Sequence, residues 1–408
     1  MLSCRLCRQP LTHEILDLGP QPPANAYRAP TDLGLMEPYY PLKLMLCTAC
    51  GLAQLSVLVD PGTIFKEYDY FSSYSSSWLR HAEDYVERML NEHPLGRDAL
   101  VVEVASNDGY LLQYFVRRGV KVLGVEPAEN VAEAARARGV PTESFFWGLA
   151  SAEELRRRHG PADLLVANNV LAHVPDICDF AAGFASMLKP GGLATFEFPH
   201  FERLLAETQF DTIYHEHYSY LTLTTARRLF ERHSLVVFEV EELPTHGGSL
   251  RLYVAPAETA PPVSPQVTAL LAREETAGLG RPETYAAFSQ AVERLKLELL
   301  SFLITAKKSG RRVLGYGAAA KGNTLLNYAG LRPDLLPAVA DLSPAKQGKF
   351  LPGSLIPVIS PEEMLAARPD YVLILPWNLA EEIMAQLAAI KDWGGRFVTA
   401  VPSLKVLP

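Results

Sequence analysis

The stretch Asp211-Thr212-Ile213-Tyr214-His215-Glu216-His217-Tyr218 puts proton-handling side chains in five consecutive positions, from Tyr214 to Tyr218. Imidazoles titrate near neutrality, a carboxylate can orient a neighbouring ring, and a phenol can hydrogen-bond an oxygen on which charge is developing. The pattern therefore reads as a reactive site. A His-x-His pair also suits a metal site or the two faces of a strand. If the segment is extended, His215, one residue off, points away and is structural.

A second constellation is Cys4-x-x-Cys7 with Cys47-x-x-Cys50, the latter followed by Gly51. Two such turns in a chain without an export signal read as knuckles giving four thiolates to one tetrahedral zinc. With all four positions filled, the metal is structural and has no open site for chemistry. The prolines between the pairs, from Pro20 to Pro41, stiffen the intervening loop. The fifth cysteine, Cys178, reads as a packing residue.

These groups need a scaffold, and the middle of the chain supplies alternating strand and helix. Leu100 to Ala105 is a β-rich run, Ser106-Asn107-Asp108-Gly109 a turn, Tyr110 to Arg118 helix-like, and Val120 to Val125 a strand ending in Glu126. An acid at the tip of the second strand can accept both hydroxyls of a ribose. The three-glycine fingerprint of a pyrophosphate loop is absent, and instead acidic Glu103 stands inside the strand and Asp108 inside the turn. Adenosylmethionine, which has no phosphate, suits that edge better than NAD. Its candidate contacts are Glu103, Asn107, Asp108, Gly109, Glu126 and Asn168. Asp163 to Pro175 reads as a buried strand with a polar tip containing Asn168, Asn169 and His173, and Lys189-Pro190-Gly191-Gly192 turns into the next strand. Ahead of this sheet, the Ser- and Tyr-rich run Tyr68 to Trp78 either caps a helix or forms a lid in which Tyr70 and Ser73 meet substrate.

Beyond the prolines between Ala255 and Pro265, a helix over Tyr285 to Leu303 leads to Gly315-Tyr316-Gly317-Ala318-Ala319-Ala320-Lys321-Gly322-Asn323 and to a strand ending in Asp341. A small doubly wound domain is predicted. Its small-residue turn, with Lys321, could cradle a phosphate or serve only close packing.

The acidic motif, Glu126, the Asn168-Asn169 to His173 segment and Leu188-Lys-Pro-Gly-Gly192 together resemble a class I adenosylmethionine-dependent methyltransferase. Adding the four cysteines, Tyr214-His-Glu-His217, Thr245-His-Gly-Gly-Ser-Leu-Arg251 and the Gly315 to Asn323 turn, nearly the whole chain resembles the sugar C-methyltransferases acting on nucleotide-linked, dTDP-type 4-keto-deoxyhexoses. The resemblance implies an α/β chain whose Rossmann-like methyltransferase sheet is flanked by an N-terminal zinc-binding module and a second, C-terminal Rossmann-like domain. The expected boundaries are 1–68, 69–257 and 258–408. It implies that His217 is the base, with Tyr214, Glu216 and His173 as neighbours, and that Tyr70, Ser73, His246, Arg251, Tyr316, Lys321 and Asn323 bind substrate.

The chemistry is also accessible from first principles. A ketone acidifies the adjacent C–H, and a base that removes the proton leaves an enolate carbon able to accept a methyl group. His217, oriented by Glu216, takes that proton in this reading, while Tyr214 or His173 meets the oxyanion. Methylation is expected at C3, with C5 as the alternative carbon. An NAD-dependent oxidoreductase and a non-catalytic zinc-bearing assembly protein are the competing readings.

Composition sets the outer limits. With 408 residues, 48% hydrophobic and 21% charged, the chain is of ordinary globular type. A formal net charge of −8 argues against a nucleic-acid groove. The absence of a long apolar run or signal pattern points to a cytoplasmic monomer with no membrane partner.

Overall fold

The computed structural model describes residues 2–64, 71–93, 95, 96 and 98–408. Its N-terminal module is built on antiparallel strands His13–Gln21 and Tyr40–Leu46, which bury Ile15, Leu16, Leu18, Leu42, Leu44 and Leu46. Ala53–Leu55 adds a third strand. The fourth, Ser219–Tyr220, comes from the far side of the chain, immediately after the Tyr214 to Tyr218 stretch. The zinc module and the reactive segment thus share one sheet.

The central sheet has seven strands, in the order Leu235–Leu243, Ser249–Pro256, Leu188–Pro199, Ala162–Asn168, Leu100–Val104, Lys121–Val125 and Thr142–Glu143. Ser249–Pro256 alone runs against the others. Both faces are covered, so the inner strands read as continuous apolar runs. Val101, Leu164 and Val166 pack towards Tyr85, Met89 and Phe115 on one side, while Val102, Leu165 and Ala167 pack towards Leu155, Phe180 and Phe184 on the other.

Helix Pro265–Thr276 lies beyond the expected boundary at residue 257, yet its Val267 and Leu270 join the central core. The reason is visible at Glu274, a buried carboxylate that accepts the amides of Leu223 and Thr224 at 2.7 and 2.8 Å. It caps helix Leu223–Glu231, and His200 at 2.9 Å is its other partner. The long helix Ala286–Lys308 instead buries Leu295, Leu299 and Leu303 with the N-terminal strands and the C-terminal domain. That domain is a six-stranded sheet in which Val358–Ile359, Val339–Ala340, Val313–Tyr316, Tyr371–Ile374 and Arg396–Thr399 run parallel, closed by antiparallel Lys405–Leu407. Among the described residues, no helix is long and apolar enough to cross a membrane.

Candidate active site

The carboxyl ends of the central strands form the first wall. Leu100–Val104 runs into a turn in which Ala105, Asn107 and Gly109 have φ of 56°, 48° and 76°. A Cβ on Gly109 would lie 2.9 Å from Val140, so a side chain there is excluded twice over. Glu126, at the tip of the next strand, accepts the amide of Asn107 at 3.0 Å on one oxygen and that of Ala128 at 2.9 Å on the other. Burial pushes its carboxyl up to about 7 against the pull of those amides. Each oxygen retains a lone pair for a ribose hydroxyl.

Glu103 is fully buried, and burial drives its pKa well above the carboxylate range; the Tyr110 hydroxyl beside it opposes this without a well-formed hydrogen bond to either oxygen. Asn168 Oδ1 and Asp108 Oδ1 are likewise buried without partners among the described residues. Buried acceptors are ordinarily satisfied, so this edge is shaped for a ligand rich in donors. The ammonium, sulfonium and ribose of adenosylmethionine fit it; a pyrophosphate would be repelled.

The hydroxyl-rich run covers this edge. Ser72 N–H donates to Asn107 Oδ1 at 2.8 Å, and Ser73 donates to Asp108, which also pairs with Arg138 at 2.7 Å. Ser73, expected on substrate, therefore fastens the cover to the cofactor turn. Ser75 caps the following helix, Ser76–Glu92, as one of the two sequence readings of the run has it. Tyr70 lies outside the described residues. Trp78 stacks on Tyr110 at 5.8 Å and on His81 at 4.9 Å, and its ring is 5.1 Å from that of His246.

The reactive segment is a turn, not a strand: His217 N–H donates to Tyr214 O at 2.9 Å, bringing the two side chains to the same side. Tyr218 N–H anchors the turn on Ala172 O at 2.7 Å. His217 Nδ1 is 2.9 Å from the Thr212 carbonyl, which can only accept, so Nδ1 carries the proton and Nε2 the lone pair. The Tyr214 hydroxyl donates to that Nε2 at 2.8 Å. His173 stands edge-on, with ring centroids 4.5 Å apart.

Burial first, then neighbouring His173, drives the His217 pKa well below that of a free imidazole. Burial also lowers His173 and His246 to about 4. At neutral pH all three rings are neutral.

Glu216 does not orient His217. Its Oε1 accepts from Asn25 Nδ2 at 2.6 Å, and burial raises its pKa to about 7. The turn reverses the chain, so consecutive side chains diverge and the Thr212 carbonyl takes over the orienting role. His215 is buried against Tyr40, with Nε2 3.2 Å from the Tyr40 carbonyl.

Other expected substrate contacts are also differently engaged. Arg251 is buried, 2.6 Å from Glu197 and 4.7 Å over the Tyr85 ring, so its guanidinium is already paired. Although burial opposes it, Glu197 is brought down to about 2 by His81 and Arg251. Tyr316 is buried in the C-terminal core. Asn323 Nδ2 donates to Ala24 O at 2.6 Å. The Gly315 to Ala319 turn is closed by its own acid, since Ala318 N–H donates to Asp341 Oδ2 at 2.7 Å. The Ala318 amide is therefore already taken by a carboxylate. His246 and Lys321, by contrast, do reach the site: His246 Nε2 is 3.2 Å from Asn169 Nδ2, and Lys321 Nζ donates to Asn378 Oδ1 at 2.7 Å.

Sequence reasoning missed Asn25, Asp211, Trp78 and Trp377. Trp377 donates its indole N–H to buried Asp211 at 2.8 Å. It follows the strand Tyr371–Ile374, and the rule that ligands gather at carboxyl strand ends could have found it. Asn25 carried no such signal.

The four cysteine sulfurs lie within 4.8 Å of one another, with Cys4 and Cys50 at 3.5 Å and Cys7 and Cys47 at 3.4 Å. Zinc–sulfur bonds of about 2.3 Å place tetrahedral sulfurs roughly 3.8 Å apart, so the cage fits zinc with no position left over. Each knuckle ends in a residue of positive φ, Arg8 at 64° and Gly51 at 80°.

This fold and this pair of sites define a class I adenosylmethionine-dependent methyltransferase carrying a structural zinc module. Family models agree along the chain: "Putative zinc binding domain" matches residues 4–65, "Methyltransferase domain" 75–240 and "C-methyltransferase C-terminal domain" 244–402. The chain is 36% identical over 405 residues to C-methyltransferase NovU of Streptomyces niveus, covering 99% of this chain and 96% of that protein. It belongs to the same C-methyltransferase family. An uncharacterized methyltransferase of Mycobacterium leprae is 29% identical over 36% of this chain and 56% of its own length. A solved magnesium protoporphyrin IX methyltransferase of Synechocystis PCC 6803 with bound SAM aligns with 48% of this chain and 98% of its own, with a TM-score of 0.37 and 14% identity.

Replacing Glu126 by Ala is expected to weaken adenosylmethionine binding by about 1.5–3 kcal/mol, roughly 10- to 100-fold, through loss of charge-assisted bonds to the ribose. Because hydroxyl donors favour the carboxylate and the free site titrates near 7, wild-type affinity should rise as pH increases through that value. Calorimetry giving a flat pH dependence and unchanged affinity in the variant would move the ribose elsewhere.

Proposed function

We propose that the protein transfers a methyl group from adenosylmethionine to C3 of a nucleotide-linked, dTDP-type 4-keto-6-deoxysugar, with His217 generating the enolate. The observation that carries the reading is the His217 tautomer. Thr212 holds the Nδ1 proton, burial and the neighbouring rings keep the imidazole neutral, and Nε2 is left with its lone pair. Methylation at carbon needs such a base, whereas many simple methyl acceptors do not.

The bound cofactor supplies an electrophilic methyl group; everything else falls to the chain. Rotation of the Tyr214 O–H from Nε2 to the keto oxygen frees the lone pair for the C3 proton. The same hydroxyl then faces the charge that forms on that oxygen. Trp78 and the Ser72–Ser73 anchors exclude water from the cofactor edge while the enolate persists.

Support for a sugar substrate is the motif resemblance along the whole chain together with the C-methyltransferase relative. Incubation with labelled adenosylmethionine and a panel of 4-keto nucleotide sugars should label C3. Label at C5 would reassign the carbon, and no label on any 4-keto sugar would remove the reading.

A further inference from the structure

The C-terminal domain brings a cation to the catalytic turn. Lys321 is the second residue of helix Ala320–Tyr328. Its ammonium is held by two neutral groups, the Asn378 amide oxygen at 2.7 Å and the face of Trp377, 4.7 Å from its centroid. Arg251 and Lys346, by comparison, each have a carboxylate beside them, Glu197 at 2.6 Å and Asp341 at 3.7 Å. Lys321 has no such ion pair among the described residues. Its charged neighbour, Asp211, lies beyond ion-pair distance, and a buried charge without a close counter-ion is costly unless a ligand completes it.

The surroundings say which ligand charge that is. Trp377 bonds Asp211, and the next residue, Thr212, orients His217, so ammonium, indole, acid and base form one continuous wall. A Cβ on Gly247 would come within 2.5 Å of the Trp377 ring, which brings the same indole against the neighbour of His246. The Lys321 charge contributes to lowering His217 and His246, and it pulls against the burial that raises Asp211. The ammonium therefore acts where the base acts.

In a 4-keto sugar the carbonyl is bonded to C3, the carbon that the base deprotonates, whereas the diphosphate hangs from C1 across the ring. In the small-residue turn beside Lys321, the Ala318 amide is already taken by Asp341, whose negative charge disfavours a phosphate there.

Resting on the proposed enolate chemistry, we propose that Lys321 is a catalytic residue whose ammonium meets the enolate oxygen, with Asn378 and Trp377 as its positioning residues. When His217 takes the C3 proton, the C–H electron pair becomes the enolate and its negative charge settles on the C4 oxygen against Lys321. No proton need leave the lysine.

The test uses the full-length protein with S-adenosylhomocysteine and a 4-keto nucleotide sugar in deuterated solvent, corrected by an enzyme-free control, alongside methylation turnover. Wild type should exchange the C3 proton. Lys321→Met should slow exchange and turnover about 10²-fold or more, while calorimetry shows unchanged affinity for the nucleoside diphosphate alone. Asn378→Asp is nearly isosteric and leaves the lysine in place but supplies a carboxylate at bonding distance. It should slow both rates likewise, and it decides the matter if the methionine variant does not fold. Full rates in Asn378→Asp, or a tenfold loss of nucleoside diphosphate affinity with exchange retained in Lys321→Met, would overturn the assignment. Wild type that neither exchanges nor methylates any 4-keto sugar would overturn the enolate reading itself, and this assignment with it.

Discussion

Replacing His217 by Asn is expected to leave cofactor and substrate affinities intact while turnover falls by the roughly 10²–10⁴-fold typical of a lost general base. Asn can still donate to the Thr212 carbonyl, so the turn should survive, but no basic lone pair faces Tyr214. Proton exchange at C3 should disappear with methylation. Exchange that persists undiminished would hand the base role to His173 or Tyr214, and normal methylation would make the whole turn structural.

The pH profile gives a second readout. A base works deprotonated, so its rate is full above its pKa and is lost as pH falls through it. Burial, His173, His246 and Lys321 all lower the His217 pKa, which places the acid limb of kcat/KM below the ordinary imidazole range. Glu216→Gln should leave that limb where it is, because Glu216 bonds Asn25 and not His217. An acid limb that moves with Glu216 would restore the orienting role expected from sequence.

The contrast between those two neighbours marks how much of the site was legible. Cysteine pairs, strand runs and the acid at a strand tip are local patterns, and Cys4 to Cys50, Leu100–Val104 and Glu126 follow them. The motif also singled out His217, whose Nε2 is the acceptor in the turn. What failed was direction. No Gly or Pro announces the turn at Tyr214 to His217, and that turn sends Glu216 to a partner 191 positions away. Arg251 failed for a related reason: the motif marked it as a substrate contact, but its strand lies inside the sheet and Glu197 waits opposite, Arg251 pairing with Glu197 in the register. Contacts that join distant segments leave no periodicity to read.

Loss of the zinc is expected to abolish efficient methylation although the metal takes no part in the chemistry. Sequence alone implied that losing the metal would loosen the N-terminal module without removing a catalytic ion. The connections run further. Gln54 donates to Cys4 Sγ at 3.2 Å and accepts the Arg5 amide at 3.0 Å; the Arg5 guanidinium reaches the carbonyls of Leu55 and Tyr218. Ala53 and Gln54 pair with Tyr220 and Ser219, and the Tyr218 hydroxyl donates to Val59 O at 2.6 Å. His217 is therefore one residue from a segment held by the zinc knuckles. Structural zinc contributes folding free energy outright, and a displacement of about 1 Å in a catalytic group can cost roughly 10²-fold. In a Cys47→Ser, Cys50→Ser variant, turnover should fall by at least about that factor. Metal analysis should give no zinc and proteolysis should open residues 4–65, while adenosylmethionine, whose expected contacts lie on the strands of the other sheet, should lose less affinity than turnover. Arg5→Met separates the metal from the clamp, since it keeps all four thiolates and should still lose most of the turnover. Full activity in a zinc-free protein, or in Arg5→Met, would confine the role of the metal to its own module.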